Sequence, residues 1–171
     1  MAVRDQTISE QAFDRWLVQD ALYVADLLTF QARLLARAPR FAQGVLANGC
    51  VGIIDELDWF DEQAARRGLS LDHPKLAATD AYADLLTRLD CVAYEPAVTA
   101  LWTLEQVYLD GWTLAQSSQP SPFAGYVEHW TAPPFRDYVA ALATLASPDQ
   151  NVDLLDEVLT HEVAFWDMAL T

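Results

Sequence analysis

The opening thirty residues constrain this chain more than any other stretch. Phe13, Trp16, Leu17, Val24 and Leu27 recur at spacings of three and four, the period that places side chains on one face of an α-helix. That face must be buried against other elements. Position 20 belongs to it and carries an aspartate; Tyr23 follows one turn later on the same side. An ionised carboxylate facing a core is costly unless it is paired, hydrogen-bonded or lining a wet cavity. A segment that has to pack also has to accommodate an acid, and this points to a polar pocket inside a helical protein.

The same period continues down the chain. Thr7-Ile8-Ser9-Glu10 reads as a capping box with Thr7 as N-cap. The apolar spacing of the first helix then extends through Leu35, and Ala38-Pro39 breaks it. A second helix is expected from Arg40 to Gly68, with Val45, Leu46, Ile53, Leu57 and Phe60 on its core face and Gly68 as its cap. Gly44, Gly49 and Gly52 inside it fit a kink, a close helix crossing or a loop. A connector with His73-Pro74 leads to a third helix from Thr79, carrying Leu85, Leu86 and Leu89. Pro96 suits the first turn of a fourth, which reaches to about Gln116. After the loop 117–122, Phe123 to Trp130 is helical, and Pro133-Pro134 opens the next turn. Phe135, Tyr138, Val139 and Leu142 form that turn's stripe, Ser147-Pro148-Asp149 closes it, and a last helix starts near Asn151. No stretch alternates with strand period. The expectation is one all-α domain over 1–171, a bundle of roughly six to eight helices.

Composition narrows the function classes. The chain is 53% hydrophobic with six Trp, seven Phe and six Tyr, which excludes disorder. No apolar run has the length of a membrane span and the N-terminus has no hydrophobic signal core, so a cytoplasmic protein is expected. A net charge of −15, from 25 acidic and 10 basic residues, opposes nucleic-acid binding, and no Lys/Arg cluster offsets it. Arg33, Arg37 and Arg40 suit a helix C-terminus better than a phosphate. A cationic small molecule meets no such repulsion. Cys50 and Cys91 read as free thiols.

The anomaly at Asp20 recurs twice. Glu105 falls within the stripe Val98, Leu101, Trp102, Tyr108 and Trp112, and Glu162 falls between Leu159 and Trp166 in a stripe with Leu155 and Ala169. Any one of these acids fits the edge of its stripe, reaching water. Three of them, accompanied by Tyr23, Trp102, Tyr108 and Trp166, favour a pocket between helices. Its carboxylates would serve proton transfer or amine binding, and its rings would stack on a flat ligand. The Glu-x-x-His pairs of two-metal bundles are missing around His73, His129 and His161, so neither a metal nor a cofactor is expected. There is no Gly-rich phosphate loop, nucleophile elbow or CxxC.

Three motifs carry a family resemblance. Phe13-x-x-Trp16-Leu17-x-Gln19-Asp20-x-x-Tyr23 resembles the N-terminal signature of the TenA family, which includes thiaminase II. His129-Trp130-x-x-Pro133-x-Phe135-x-x-Tyr138-Val139 is similar to the family segment before the last helix. Glu162-x-x-Phe165-Trp166-Asp167-Met168-Ala169 resembles the closing motif. The resemblance spans nearly the whole chain and implies a heme-oxygenase-like all-α fold, often a homotetramer, so a homo-oligomer is expected. It also implies thiamine or pyrimidine salvage and an aminopyrimidine ligand held by Asp20 and Tyr23, with Glu162 handling protons. The family's nucleophilic cysteine is absent: matching its Trp to Trp102 puts Ala100 at the cysteine position and Leu104 where a tyrosine is usual. Glu105 is the substitute polar group expected here, sharing acid and base roles with Glu162, as in family branches that use carboxylates. Tyr23, Trp102, Tyr108, Trp130 and Trp166 are the expected ring walls. The alternative is a non-catalytic small-molecule-binding or interaction protein on the same fold.

Overall fold

The computed structural model describes residues 2–170. Ser9 starts the first helix: its Oγ accepts the Ala12 N–H at 3.1 Å, and α1 runs unbroken over Glu10–Arg37. The cap therefore sits two residues beyond the expected Thr7. The Thr7 and Ile8 N–H groups are already bonded to the Ala2 carbonyl, which folds the segment before them into a turn. The helix ends where Ala38, restricted by Pro39, turns extended at φ −71° and ψ 146°.

The second helix, α2, spans Gln43–Arg67, and Gly68 closes it in the left-handed region at φ 68°. Its glycines neither kink into a loop nor interrupt it. Gly49 marks a close helix crossing: a Cβ there would lie 2.1 Å from Gln31 Nε2 and 2.4 Å from the Tyr138 hydroxyl. The remaining helices are α3 (Ala77–Leu89), α4 (Tyr94–Leu114), α5 (Ala124–Trp130), α6 (Pro133–Ala143) and α7 (Val152–Met168), with a single 3-10 turn at Pro148–Gln150. Among the described residues there is no strand.

The long α1 packs on α2, α3 and α4; α4 in turn packs on α6 and α7, and α3 on α7. Leu17, Leu34, Leu46, Leu85, Leu89, Leu101 and Leu104 fill the space between them, each contributing about 1.5–3 kcal/mol by burial. The arginines at the end of α1 serve a neighbouring helix. Arg33 pairs with Asp90 at 2.7 Å, and Arg37 donates to the Leu89 and Val92 carbonyls at the C-terminus of α3. Cys50 is half-buried, Cys91 is exposed, and both are free thiols. No described helix is long and apolar enough to cross a membrane.

Candidate functional site

The three stripe acids lie on α1, α4 and α7, which pack together, and all three are enclosed: Asp20 is 0% exposed, Glu162 4% and Glu105 7%. Asp20 Oδ2 accepts the Tyr108 hydroxyl at 2.9 Å, while its Oδ1 is buried without a partner. Glu162 takes the Tyr82 hydroxyl on Oε1 and the Trp166 indole N–H on Oε2, the latter at 2.9 Å. The Glu105 carboxyl has no hydrogen-bond partner among the described residues.

Burial dominates the ionisation of all three, because desolvation penalises the charged form. It pushes Glu105 from an ordinary 4.5 to about 8, helped by the charges of Glu162 and Glu56. It pushes Glu162 to about 7 against the opposing hydrogen bonds from Tyr82 and Trp166. Asp20 is raised well above the carboxylate range, again by burial, against the Tyr108 hydrogen bond and with the neighbouring acids adding to the rise. Near neutral pH this cluster holds protons that exposed carboxyls would have lost.

A cavity of about 600 Å³ opens beside the acids, between α2 and α6. Its buried floor is formed by Tyr23, Val24, Leu27, Ile53, Leu104, Glu105 and Trp130, and its exposed rim by Asn48, Gly52, Asp55, Pro134 and Asp137. Of the residues expected from sequence, Glu105, Tyr23, Tyr108 and Trp130 line it. Asp20 and Glu162 stand one layer behind: Tyr108 joins Asp20 to the wall, and Tyr82, whose ring packs on Tyr23 at 4.6 Å, joins Glu162 to it. Trp166 is bonded to Glu162 and stacked on Trp16 at 5.3 Å, where it lines a second cavity of about 430 Å³. Trp102 lines neither cavity; its indole N–H is enclosed without a partner.

The expected set omits several groups. Glu56 of α2 reaches into the cavity wall and is held at both oxygens, by His129 Nε2 at 2.7 Å and by the Trp130 indole N–H at 2.6 Å. His129 stacks flat on Trp59 at 3.9 Å, and Phe135 and Tyr138 complete the wall from α6. The signal for Glu56 is the one that exposed Asp20. Ile53, Glu56 and Phe60 are spaced by three and four, so Glu56 lies on the core face of its helix. Tyr82, four residues before Leu86 in the α3 stripe, is likewise a polar tip on an apolar face, and it is fully buried. No described group of three or more His, Cys, Asp or Glu is arranged to hold a metal ion. Ala100 is buried in the core, and no cysteine lines the cavity.

Comparison with known proteins fits this geometry. The profile of the TENA/THI-4/PQQC family matches residues 1–171. The Glycine max "Probable bifunctional TENA-E protein" is 30% identical over 99% of this chain and 83% of its own length. The crystal structure of a TenA homologue from Pyrococcus furiosus superposes with a TM-score of 0.89 at 27% identity, covering 96% of this chain and 86% of that one. A protein described as a TenA family transcription regulator, from a Silicibacter species, gives 0.91 at 15% identity, covering 99% and 86%, and supports the fold alone. The bundle is of the heme-oxygenase-like type.

Proposed function

The chain belongs to the TENA/THI-4/PQQC family, and on that premise we propose that it acts in thiamine or pyrimidine salvage by binding an aminopyrimidine in the cavity and hydrolysing it with carboxylic acids in place of a thiol. The ring rests against the wall formed by Tyr108, Trp130 and Phe135, which are packed edge to face and offer contact area with little loss of side-chain freedom. Glu105 supports the reading more than any other residue. It is a carboxyl more than nine-tenths buried on the cavity floor, and its own fold provides it no hydrogen-bond partner. Such a group is expensive to keep unless a ligand satisfies it.

In the hydrolysis, water adds its oxygen to the carbon bearing the amine, the carbon–nitrogen bond breaks, and the nitrogen leaves with a proton. Glu105, raised to about 8, is the proton donor to that nitrogen. Glu162, raised to about 7, has enough of its unprotonated form to accept the proton of water by way of Tyr82, whose hydroxyl donates to it and whose ring packs on the cavity-lining Tyr23. Two acids with different surroundings thus supply both forms at one pH. Asp20, enclosed behind the wall, orients Tyr108 by accepting its hydroxyl.

Glu105→Gln is the direct test, read by ammonia release from an aminomethylpyrimidine and by thiamine cleavage. Turnover should fall at least about a hundredfold, the usual contribution of a positioned proton donor, with melting temperature unchanged or raised. Turnover at the wild-type rate in this variant excludes the mechanism. Ala100 at the matched cysteine position favours a second reading, a binder without chemistry. An aminopyrimidine that raises the melting temperature without being hydrolysed would select it.

A further inference from the structure

The charges in the cavity lean to one sign. Glu56 lies within it, beside the Glu105 carboxyl that keeps its proton near neutral pH, and Asp55 and Asp137 stand exposed at its mouth. No lysine or arginine lines it; His129, its one basic side chain, is bonded to Glu56. Arg136, next to Asp137 in α6, is turned instead to the Thr131 carbonyl at 2.7 Å. A phosphate group is ordinarily received by arginine, lysine or the free N–H groups of a helix N-terminus. The helix end that reaches this mouth is that of α6, and its first two residues are Pro133 and Pro134, which have no N–H to give. No lysine or arginine is thus placed to receive an anion and the helix end lacks its first two N–H donors, in a cleft whose apolar walls concentrate the field of its acids. On the floor, the unpartnered Glu105 carboxyl awaits a ligand group.

We infer that the site admits flat ligands that are cationic or neutral and rejects the same ring systems once phosphorylated, with Asp55 and Asp137 at the mouth setting the selection. This deepens the reading above and rests on the same cavity being the ligand site, but not on the chemistry done there. The way in is also marked. Gly52 stands on α2 between Asn48 and Asp55, and a Cβ added to it would meet nothing within 4 Å. A side chain added there starts in open space at the edge of the opening.

Calorimetric binding of two matched pairs tests the inference: thiamine against thiamine monophosphate, and benzamidine against phenyl phosphate. In the wild-type protein each cation should bind at least about tenfold tighter than its phosphate partner. The double variant Asp55→Asn/Asp137→Asn should narrow that ratio to roughly threefold or less, as should about 0.5 M salt. Gly52→Trp should weaken both cations at least about tenfold with unchanged melting, since it blocks the route without touching the floor. Phosphates binding as well as cations, a ratio unmoved by the double variant, or no binding by any of the four overturns the inference. Should benzamidine show the charge preference while thiamine fails to bind, the pyrimidine reading falls and the charge selection stands. Should thiamine bind no better than its monophosphate yet be cleaved, the reverse holds.

Discussion

Two cavities flank the same cluster of rings, and they are built from different chemistry. The one between α2 and α6 has Glu56, Glu105, Tyr23 and Tyr108 among its apolar walls, with Asp20 and Glu162 behind them. The other, beside α4 and α7, is lined by Phe13, Trp16, Trp112, Trp166 and aliphatic side chains, and its acids, Asp110 and Asp167, are exposed. Between them Trp112 packs on Trp130 at 4.3 Å and Tyr108 on Trp166 at 5.8 Å. The difference teaches that an enclosed space becomes a candidate site through convergent polar groups that its fold leaves unsatisfied, and that volume alone does not make one. The rings that separate the cavities also keep water off the acids, and this desolvation raises their pKa values.

The largest expected effect comes from removing the divide. Trp112 is fully buried between the cavities, and Trp112→Ala should cost about 3–5 kcal/mol in urea denaturation, the usual cost of truncating a buried aromatic. A loss below about 1 kcal/mol would mean that the cluster is not the common wall described above. Glu162→Gln sharpens the contrast next: turnover should drop at least about a hundredfold while stability stays within about 1 kcal/mol. Rates near wild type would take Glu162 out of the mechanism.

The pH dependence is the third consequence. Glu105 and Glu162 hold their protons to about 8 and about 7 in the folded chain, against an ordinary 4.5. Between these values the folded state binds more protons than the unfolded state, so stability is full below about pH 4.5 as far as these groups are concerned and is lost as pH rises towards 8. Melting temperature should therefore fall between pH 5 and 8, by roughly 2–4 °C for each kcal/mol lost, and Glu105→Gln should flatten that decline. A slope unchanged in the variant would place the titration elsewhere. The smallest effect belongs to the apolar cavity. Val163 is 61% exposed on its rim, and Val163→Lys should alter neither turnover nor stability by more than about 0.5 kcal/mol.

Much of this was legible in the order of residues. A carboxylate inside a three-and-four apolar stripe has few places to go, and Asp20, Glu105 and Glu162 are all buried. The same spacing around Ile53 and Phe60 marks Glu56, which is overlooked only because its neighbours on α2 include many ordinary surface acids. The Thr7-x-x-Glu10 spacing marks a capping box, yet the cap is Ser9. The choice turned on the Ala2 carbonyl taking the Thr7 and Ile8 N–H groups, a local contact that a motif does not encode.

The amino-acid order alone determined helix class and a range of six to eight helices, and it put Asp20 and Glu105 on core faces, because these follow from period, caps and breakers acting over a few residues. In α7 the buried face is Val158, Glu162, Phe165 and Met168, and Leu159, expected on it, is 40% exposed. Only the tertiary structure decided which acids meet the cavity directly, which act through Tyr108 or Tyr82, and that Trp102 lines neither cavity. A stripe defines one side of a helix but not the depth or rotation at which neighbouring helices cover it. At Gly49 the missing side chain lets α2 close on Gln31 and Tyr138, so the cavity wall depends on three helices meeting at one point.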